Sequence, residues 1–397
     1  MSIPSVTCPA CGAADCGPTM DYRAFPAFLF PMAEEIAGVI ESQNLSLHLC
    51  AGCGHLFQAE GDPALLSQIY GRYYANYPYD GDEAMNQAYR RPFHLFFDLM
   101  LDTHAVGPAP RLLEIGCSRP GNMLPFAEKG YDCVGIDPSP LAEGADVPEG
   151  IRIVSGYYEE TPLEGKFDIV VSRFNLEHIT DLSAHLIKMS QDLREGGRII
   201  VQVPNVAYYL ENLQPLFVAH EHIHYFSQHS LVRLFERHGF ATVACYSAGQ
   251  PSVLACFEKR APGARQAGEP VAALVEEYKA NIATKAKELT VQLADKQRVV
   301  LYGCGLALYW VLTVLRGRLP SQIVVVDDNP ILVGKAIPLH LLPIRRPDPD
   351  LLADADLVVL TLNPIYHDGV IARLRKQGCL LTLLKIGRER LERELLP

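Results

Sequence analysis

The run Arg111-Leu-Leu-Glu-Ile-Gly-Cys-Ser-Arg-Pro-Gly121, followed by Tyr131-Asp-Cys-Val-Gly-Ile-Asp137, constrains this chain more than any other segment. An apolar run ends in an acid and a glycine turn, and a second apolar run ends in Asp137. In an open parallel sheet such a first turn lets the backbone approach a ligand closely, and the acid closing the next strand binds ribose hydroxyls. The expectation is an α/β fold that holds a nucleoside-bearing cofactor. More than one class of cofactor is bound this way, and residues 111–137 alone do not choose between them.

The surrounding pattern supports that fold. Strand candidates at 111–115, 133–136, 151–155, 168–172, 198–203, 241–246 and 253–258 alternate with helical stretches, which predicts a mostly parallel sheet with helices on both faces. Residues 261–270 are polar with Gly and Pro and read as a linker, and 271–296 carry a long helical pattern. A second α/β unit follows: 298–302, a turn at Gly303-Cys304-Gly305, 322–326 with Asp327-Asp328-Asn329-Pro330, and 357–361. Residues 63–105 look helical with a tyrosine-rich interruption at 70–79, and the first 60 residues look irregular. The division is therefore 1–62, an N-terminal lobe; 63–260, the cofactor domain; 261–297, linker and helix; and 298–397, a second Rossmann-like domain.

The net charge of −11 argues against nonspecific nucleic-acid binding and against anionic membrane surfaces. The first residues lack the basic-then-apolar pattern of a signal peptide. No uncharged apolar run approaches the roughly 20 residues that span a bilayer. The expectation is a cytoplasmic monomer or homodimer acting on a small molecule.

Cys8-Pro-Ala-Cys11-Gly and Cys50-Ala-Gly-Cys53-Gly form two C-x-x-C knuckles. Four thiolates from two such turns suit tetrahedral zinc with no open position, hence a structural ion rather than a catalytic one. Cys16 falls off this spacing and reads as a spare thiol.

Two later motifs narrow the cofactor. Lys166-Phe-Asp168-Ile-Val-Val-Ser-Arg-Phe-Asn-Leu-Glu-His178-Ile is a fourth strand with polar groups at its end, and Leu193-Arg-Glu-Gly-Gly is a tight turn into a fifth. With Glu114, Gly116 and Asp137 in place, residues 108–258 resemble the class I S-adenosylmethionine (SAM)-dependent methyltransferases. That resemblance implies Glu114 near the methionine amino end and Asp137 with Pro138 near the ribose. It also implies Tyr157, Arg173 and Phe174 beside the adenine and methionine. Gly116, Cys117, Ser118 and Gly121 form the turn itself. The turn departs from the family's Gly-x-Gly, since Gly116-Cys-Ser-Arg-Pro-Gly121 carries one extra residue and a proline, which fixes φ and removes a donor.

Ala219-His220-Glu221-His222-Ile223-His224-Tyr225-Phe226-Ser227 follows the fifth strand and so lies over the ligand edge of the sheet. Three histidines at spacing two would share one face of an extended segment. A metal there lacks an evident third ligand, whereas a histidine beside an acid suits general-base chemistry. The whole chain resembles the zinc-containing deoxysugar C-methyltransferases, which act on nucleotide-activated keto sugars. The matches are the four cysteines, Tyr77-Pro-Tyr79, His220-Glu-His222 before Tyr225-Phe-Ser227, and the C-terminal glycine turn with Asp-Asn-Pro. The resemblance implies His222 as the base supported by Glu221, with His178 assisting and Tyr77 or Tyr79 at the developing enolate. It also implies His220, His224, Tyr225 and Asn205 around the substrate. The family's tyrosine before His-Glu-His is Ala219 here. Either Tyr225, Tyr77 or Tyr79 takes its place, or the substrate differs. An O- or N-methyltransferase of another metabolite and a non-catalytic sugar-nucleotide-binding protein stay open on the sequence.

Overall fold

The computed structural model describes residues 6–59, 61–73, 83–102, 107–118, 121, 123–138, 147–261 and 271–396, without the side chains of 83–89. Three sheets organise them. The central sheet has seven strands in the order Phe240–Tyr246, Ser252–Lys259, Leu193–Pro204, Phe167–Arg173, Arg111–Ile115, Asp132–Asp137, Ile151–Ser155. Its last five strands run parallel, and Ser252–Lys259 is antiparallel to both of its neighbours. The strand ends that carry Ile115, Asp137 and Arg173 therefore open on one edge. Apolar cores cover both faces: Leu113, Val170, Val201 and Phe235 on one side, Phe97, Leu112, Phe126 and Ile200 on the other.

The first 60 residues are not irregular. Cys16–Pro26, Ser42–Cys50 and Leu56–Gln58 form antiparallel strands, and His224–Tyr225 from the cofactor domain closes this second sheet. Register shifts between Pro18 and Met20 and between Tyr22 and Phe25 hide the pattern in the sequence. A bulge resets which face each side chain points to, so the two-residue alternation breaks. Helix Pro63–Gln68, capped by the Asp62 side chain, continues into a wider π-type turn at Ile69–Tyr73. Helix Glu83–Leu101 then runs through Pro92.

The third sheet, Ile344–Arg345, Gln322–Val326, Arg298–Tyr302, Leu357–Leu360, Leu381–Ile386 and Leu391–Leu396, is parallel except for its last strand. Helix Val271–Leu293 joins it to the rest. Tyr278 and Val275 of this helix share one apolar core with Leu47 of the N-terminal sheet, Phe217 of the histidine loop and Trp310 of the third sheet's first helix. Buried Lys285 donates from Nζ to the Leu213 carbonyl at 3.0 Å. Among the described residues no helix is long and apolar enough to cross a membrane.

Candidate active site

After Ile115 the chain turns at Gly116, with φ +72°, and its N–H donates to the Ile136 carbonyl at 2.9 Å. A Cβ on Gly116 would lie 2.7 Å from Nδ2 of Asn175, so only glycine leaves room for the loop crossing above. Ser118, at φ +52°, donates its N–H to Asp137 Oδ2 at 2.8 Å. This left-handed step brings the Ser118 N–H to the acid at the end of the neighbouring strand. The Cys117 side chain turns instead into the core with Met123 and Phe126. Pro138 and Gly121 are exposed at the edge.

Glu114 is buried, and Oε2 has no hydrogen-bond partner among the described residues. Burial pushes its pKa up to about 7, against the pull of Arg173 and Arg90. Asn175 Oδ1 and Ser172 Oγ are also buried without a partner among the described residues. Buried polar atoms are nearly always paired, so unpaired acceptors at one sheet edge call for a donor. The ammonium of a methionine group is such a donor, so this set of acceptors suits SAM. Arg173 lies over the Phe93 ring at 4.3 Å and donates to Gln202 Oε1 at 3.1 Å. Phe174, at φ +47°, follows. Tyr157 is half-exposed just beyond Gly156, whose N–H meets the Asp137 carbonyl.

The same loop continues through Leu176–His178 to the histidine segment. His178 Nδ1 lies 2.8 Å from the Glu221 carbonyl. A carbonyl only accepts, so Nδ1 carries the proton and Nε2 the lone pair. The His178 and His222 rings lie 4.9 Å apart at 72°, and one ligand atom from each of Glu177, His178 and His222 lies within 4.8 Å of the others. Burial depresses both histidines, His178 to about 4 and His222 well below the usual value. Burial raises the carboxyls, Glu177 to about 8 and Glu221 to about 7. Tyr70 meets His178 edge-on at 5.9 Å, and burial with the nearby Glu221 and Glu177 keeps its phenol protonated.

The three histidines of the loop do not share a face. Residues 219–222 turn, with the His222 N–H on the Ala219 carbonyl, and only His224–Tyr225 is extended. His220 packs on Phe25 in the N-terminal lobe. His224 donates from Nε2 to the Ile179 carbonyl at 2.9 Å and accepts at Nδ1 from His55 at 3.2 Å. Tyr225 uses its hydroxyl on both backbone groups of Ala219, at 3.0 and 3.1 Å. Asn205 donates to the Ser247 and Gln250 carbonyls behind the loop. Tyr77 and Tyr79 lie outside the described residues.

Four residues near this site were not given a role on the sequence. Glu177 sits inside the Leu-Glu-His motif, and Tyr70 opens the tyrosine-rich stretch. His55 contacts His224, and Gln58 Nε2 donates to the Ala219, His220 and His222 carbonyls at 3.2, 3.1 and 2.7 Å. Glu177 is also the third metal-capable group that the histidine segment lacks on its own.

Cys8, Cys11, Cys50 and Cys53 converge, with sulfur pairs 3.7 Å (Cys8 and Cys53) and 3.6 Å (Cys11 and Cys50) apart. Four sulfurs about 2.3 Å from a tetrahedral zinc would be about 3.8 Å apart, so the cluster could hold a metal. Cys16 points its thiol at the Ala13 carbonyl, and burial raises it to about 12.

A family model described as "Methyltransferase domain" matches residues 82–244. The chain is 29% identical over 157 residues to "C-methyltransferase NovU" of Streptomyces niveus, covering 38% of this chain and 37% of that one. It is 33% identical over 104 residues to "Ubiquinone biosynthesis O-methyltransferase" of Azorhizobium caulinodans, covering 24% and 40%. The matched segments are thus under half the length of either relative. Among solved structures it is similar to the 1,6-didemethyltoxoflavin-N1-methyltransferase of Burkholderia thailandensis with S-adenosylhomocysteine bound. That similarity has a TM-score of 0.38 and 19% identity over 52% of this chain and 96% of that one. The chain carries a methyltransferase domain. The strand order and the glycine turn agree with that match.

Proposed function

We propose that the protein is a SAM-dependent C-methyltransferase of a nucleotide-activated keto deoxysugar, with His222 as the general base. One observation carries the reading. The loop from Arg173 to Ile179 lays Asn175 over the Gly116 turn and, three residues on, sets His178 against His222. Cofactor end and base are thereby joined by one short segment. When bound, SAM supplies an electrophilic methyl group. Glu114 and Asn175 offer acceptors to its amino end, and Asp137 offers an acceptor to its ribose.

A 4-keto group acidifies the hydrogen on the neighbouring carbon. His222, neutral because burial disfavours the imidazolium, removes that proton. The Tyr70 phenol, or the Tyr77 and Tyr79 phenols that the family resemblance implies, donates to the enolate oxygen. The similarity to a C-methyltransferase supports carbon as the acceptor atom. Ala219 in place of the family's tyrosine favours, as the second reading, methylation of oxygen or nitrogen on another small metabolite. The four cysteines hold a structural zinc that ties down the lobe beneath the histidine loop. Cys8, Cys11, Cys50 and Cys53 would be its ligands.

The test is a transfer assay with a nucleotide-linked 4-keto-6-deoxyhexose. His222→Ala is expected to abolish transfer while binding of S-adenosylhomocysteine, measured by calorimetry, persists. Full activity in that variant removes His222 as the base.

A further inference from the structure

We propose that Glu177, rather than Glu221, is the carboxylate that supports His222, a positioning residue acting through the imidazole. The inference rests on His222 being the base.

Three geometric facts point to Glu177. A carboxylate oxygen of Glu177 lies within 4.8 Å of the ring nitrogens offered by both His178 and His222. Its Oε1 is 4.0 Å from His178 Nε2, the nitrogen left with a lone pair. Its backbone is fixed in register with the base, because the Ile223 N–H donates to the Glu177 carbonyl at 2.8 Å. Glu177 is 1% exposed, and Oε2 has no partner among the described residues. Glu221, by contrast, reaches His178 through its backbone carbonyl, and its carboxylate is not in the group whose ligand atoms lie within 4.8 Å of one another. The other titratable groups facing this pair are His178 beside Glu177, Glu221 beside His222, Tyr70 from the π-type turn and the Tyr225 ring at 6.1 Å from His222.

The chemistry follows from one shared proton. Near neutrality the buried group holds it on the Glu177 carboxyl, since both imidazoles are depressed and the acid is raised. Loss of that proton leaves a carboxylate beside a neutral His222. When His222 then takes the substrate proton, the pair becomes carboxylate and imidazolium, with no net charge left in the buried site. An opposite charge within about 4–6 Å raises a histidine's pKa by about 1–3 units. Without Glu177, His222 would form an unpaired buried cation, which is costly.

The experiment is the pH dependence of kcat for the full chain, with SAM and a nucleotide-linked 4-keto-6-deoxyhexose. In Glu177→Gln the plateau is expected to fall at least about tenfold, and the acid limb to move at least about one unit to lower pH. Affinity for S-adenosylhomocysteine should be unchanged. Glu177→Asp, which keeps the anion, should restore part of both effects, and Glu221→Gln should leave the limb in place. A limb unmoved in Glu177→Gln, or moved by Glu221→Gln instead, overturns the assignment. If the Gln variant does not fold, Glu221→Gln decides alone, and a limb that moves to lower pH in that variant overturns the assignment. A second equivalent of zinc that binds beyond the cysteine site and is lost in Glu177→Gln would also overturn it, in favour of a metal centre. Full activity in His222→Ala would instead mean that the base reading itself has failed.

Discussion

Replacing Gln58 by leucine removes one side-chain donor from the turn that presents His222. Its NH2 has two hydrogens shared among three carbonyls, those of Ala219, His220 and His222. The Ala219 carbonyl keeps the Tyr225 hydroxyl and the His222 N–H, so two carbonyls lose their donor. A buried acceptor left unpaired costs about 1–3 kcal/mol, so the closed turn loses about 2–6 kcal/mol, less whatever water recovers when it opens. Within that range, about 2.8 kcal/mol makes local opening about 100-fold more frequent. The assay is amide hydrogen exchange followed by mass spectrometry. Peptides covering 219–223 should exchange about 100-fold faster, while those covering the central strand Arg111–Ile115 stay unchanged. Leu56–Gln58 still pairs with His224–Tyr225 through its backbone, which confines the effect to the turn. Unchanged exchange at 219–223, or an equal increase in the central sheet, would refute the reasoning.

Gly116→Ala places a methyl group 2.7 Å from Asn175 and forces a strained φ, so affinity for S-adenosylhomocysteine should fall about 10- to 100-fold by calorimetry, together with a lower Tm. Glu114→Gln should weaken SAM binding by about the same factor, the loss of one charge-assisted hydrogen bond. In the wild type, a bound ammonium favours the Glu114 carboxylate and pulls its pKa below about 7, so binding near pH 6.5 should release a proton. Calorimetry in buffers of different ionisation enthalpy detects that release, and buffer-independent heats would count against the placement. The raised pKa values of Glu177, Glu221 and Glu114 contribute stability that is fully present below the unfolded carboxyl value and is lost as pH rises through about 7–8. Tm should therefore fall from pH 6 to pH 8.5, less steeply in Glu177→Gln. Cys50→Ser should lower Tm and speed exchange at 224–225, because Cys50 ends the strand that pairs with Leu56–Gln58; an unchanged Tm would remove the structural role of the cluster.

How far each part was legible depended on the range of the interactions that build it. The central strands are runs such as 168–172 and 198–203, apolar enough to be buried in a parallel sheet, and local pattern finds them to within a few residues. The glycine turn announces itself through residues whose backbone needs are special. The N-terminal sheet is hidden in the sequence because its bulges break the alternation, and because its fourth strand comes from residues more than 160 positions away. The spacing of His220, His222 and His224 suggests a strand, but the Gln58 amide and the Ala219 carbonyl hold 219–222 in a turn. Glu221 was the obvious partner for His222 because they are adjacent in sequence. Adjacent side chains diverge in a turn, and the nearby carboxylate, Glu177, arrives from another strand end.

The central claim, methyl transfer to carbon, is tested most directly by following the labelled methyl group of [methyl-13C]SAM by NMR. A nucleotide-linked 4-keto-6-deoxyhexose serves as the acceptor, in deuterated water. The account predicts a new methyl carbon coupled to a ring carbon of the sugar, deuterium at the carbon beside the ketone in SAM-free controls, and neither signal in His222→Ala. A labelled methyl attached to oxygen or nitrogen, or transfer without exchange of that hydrogen, would contradict it.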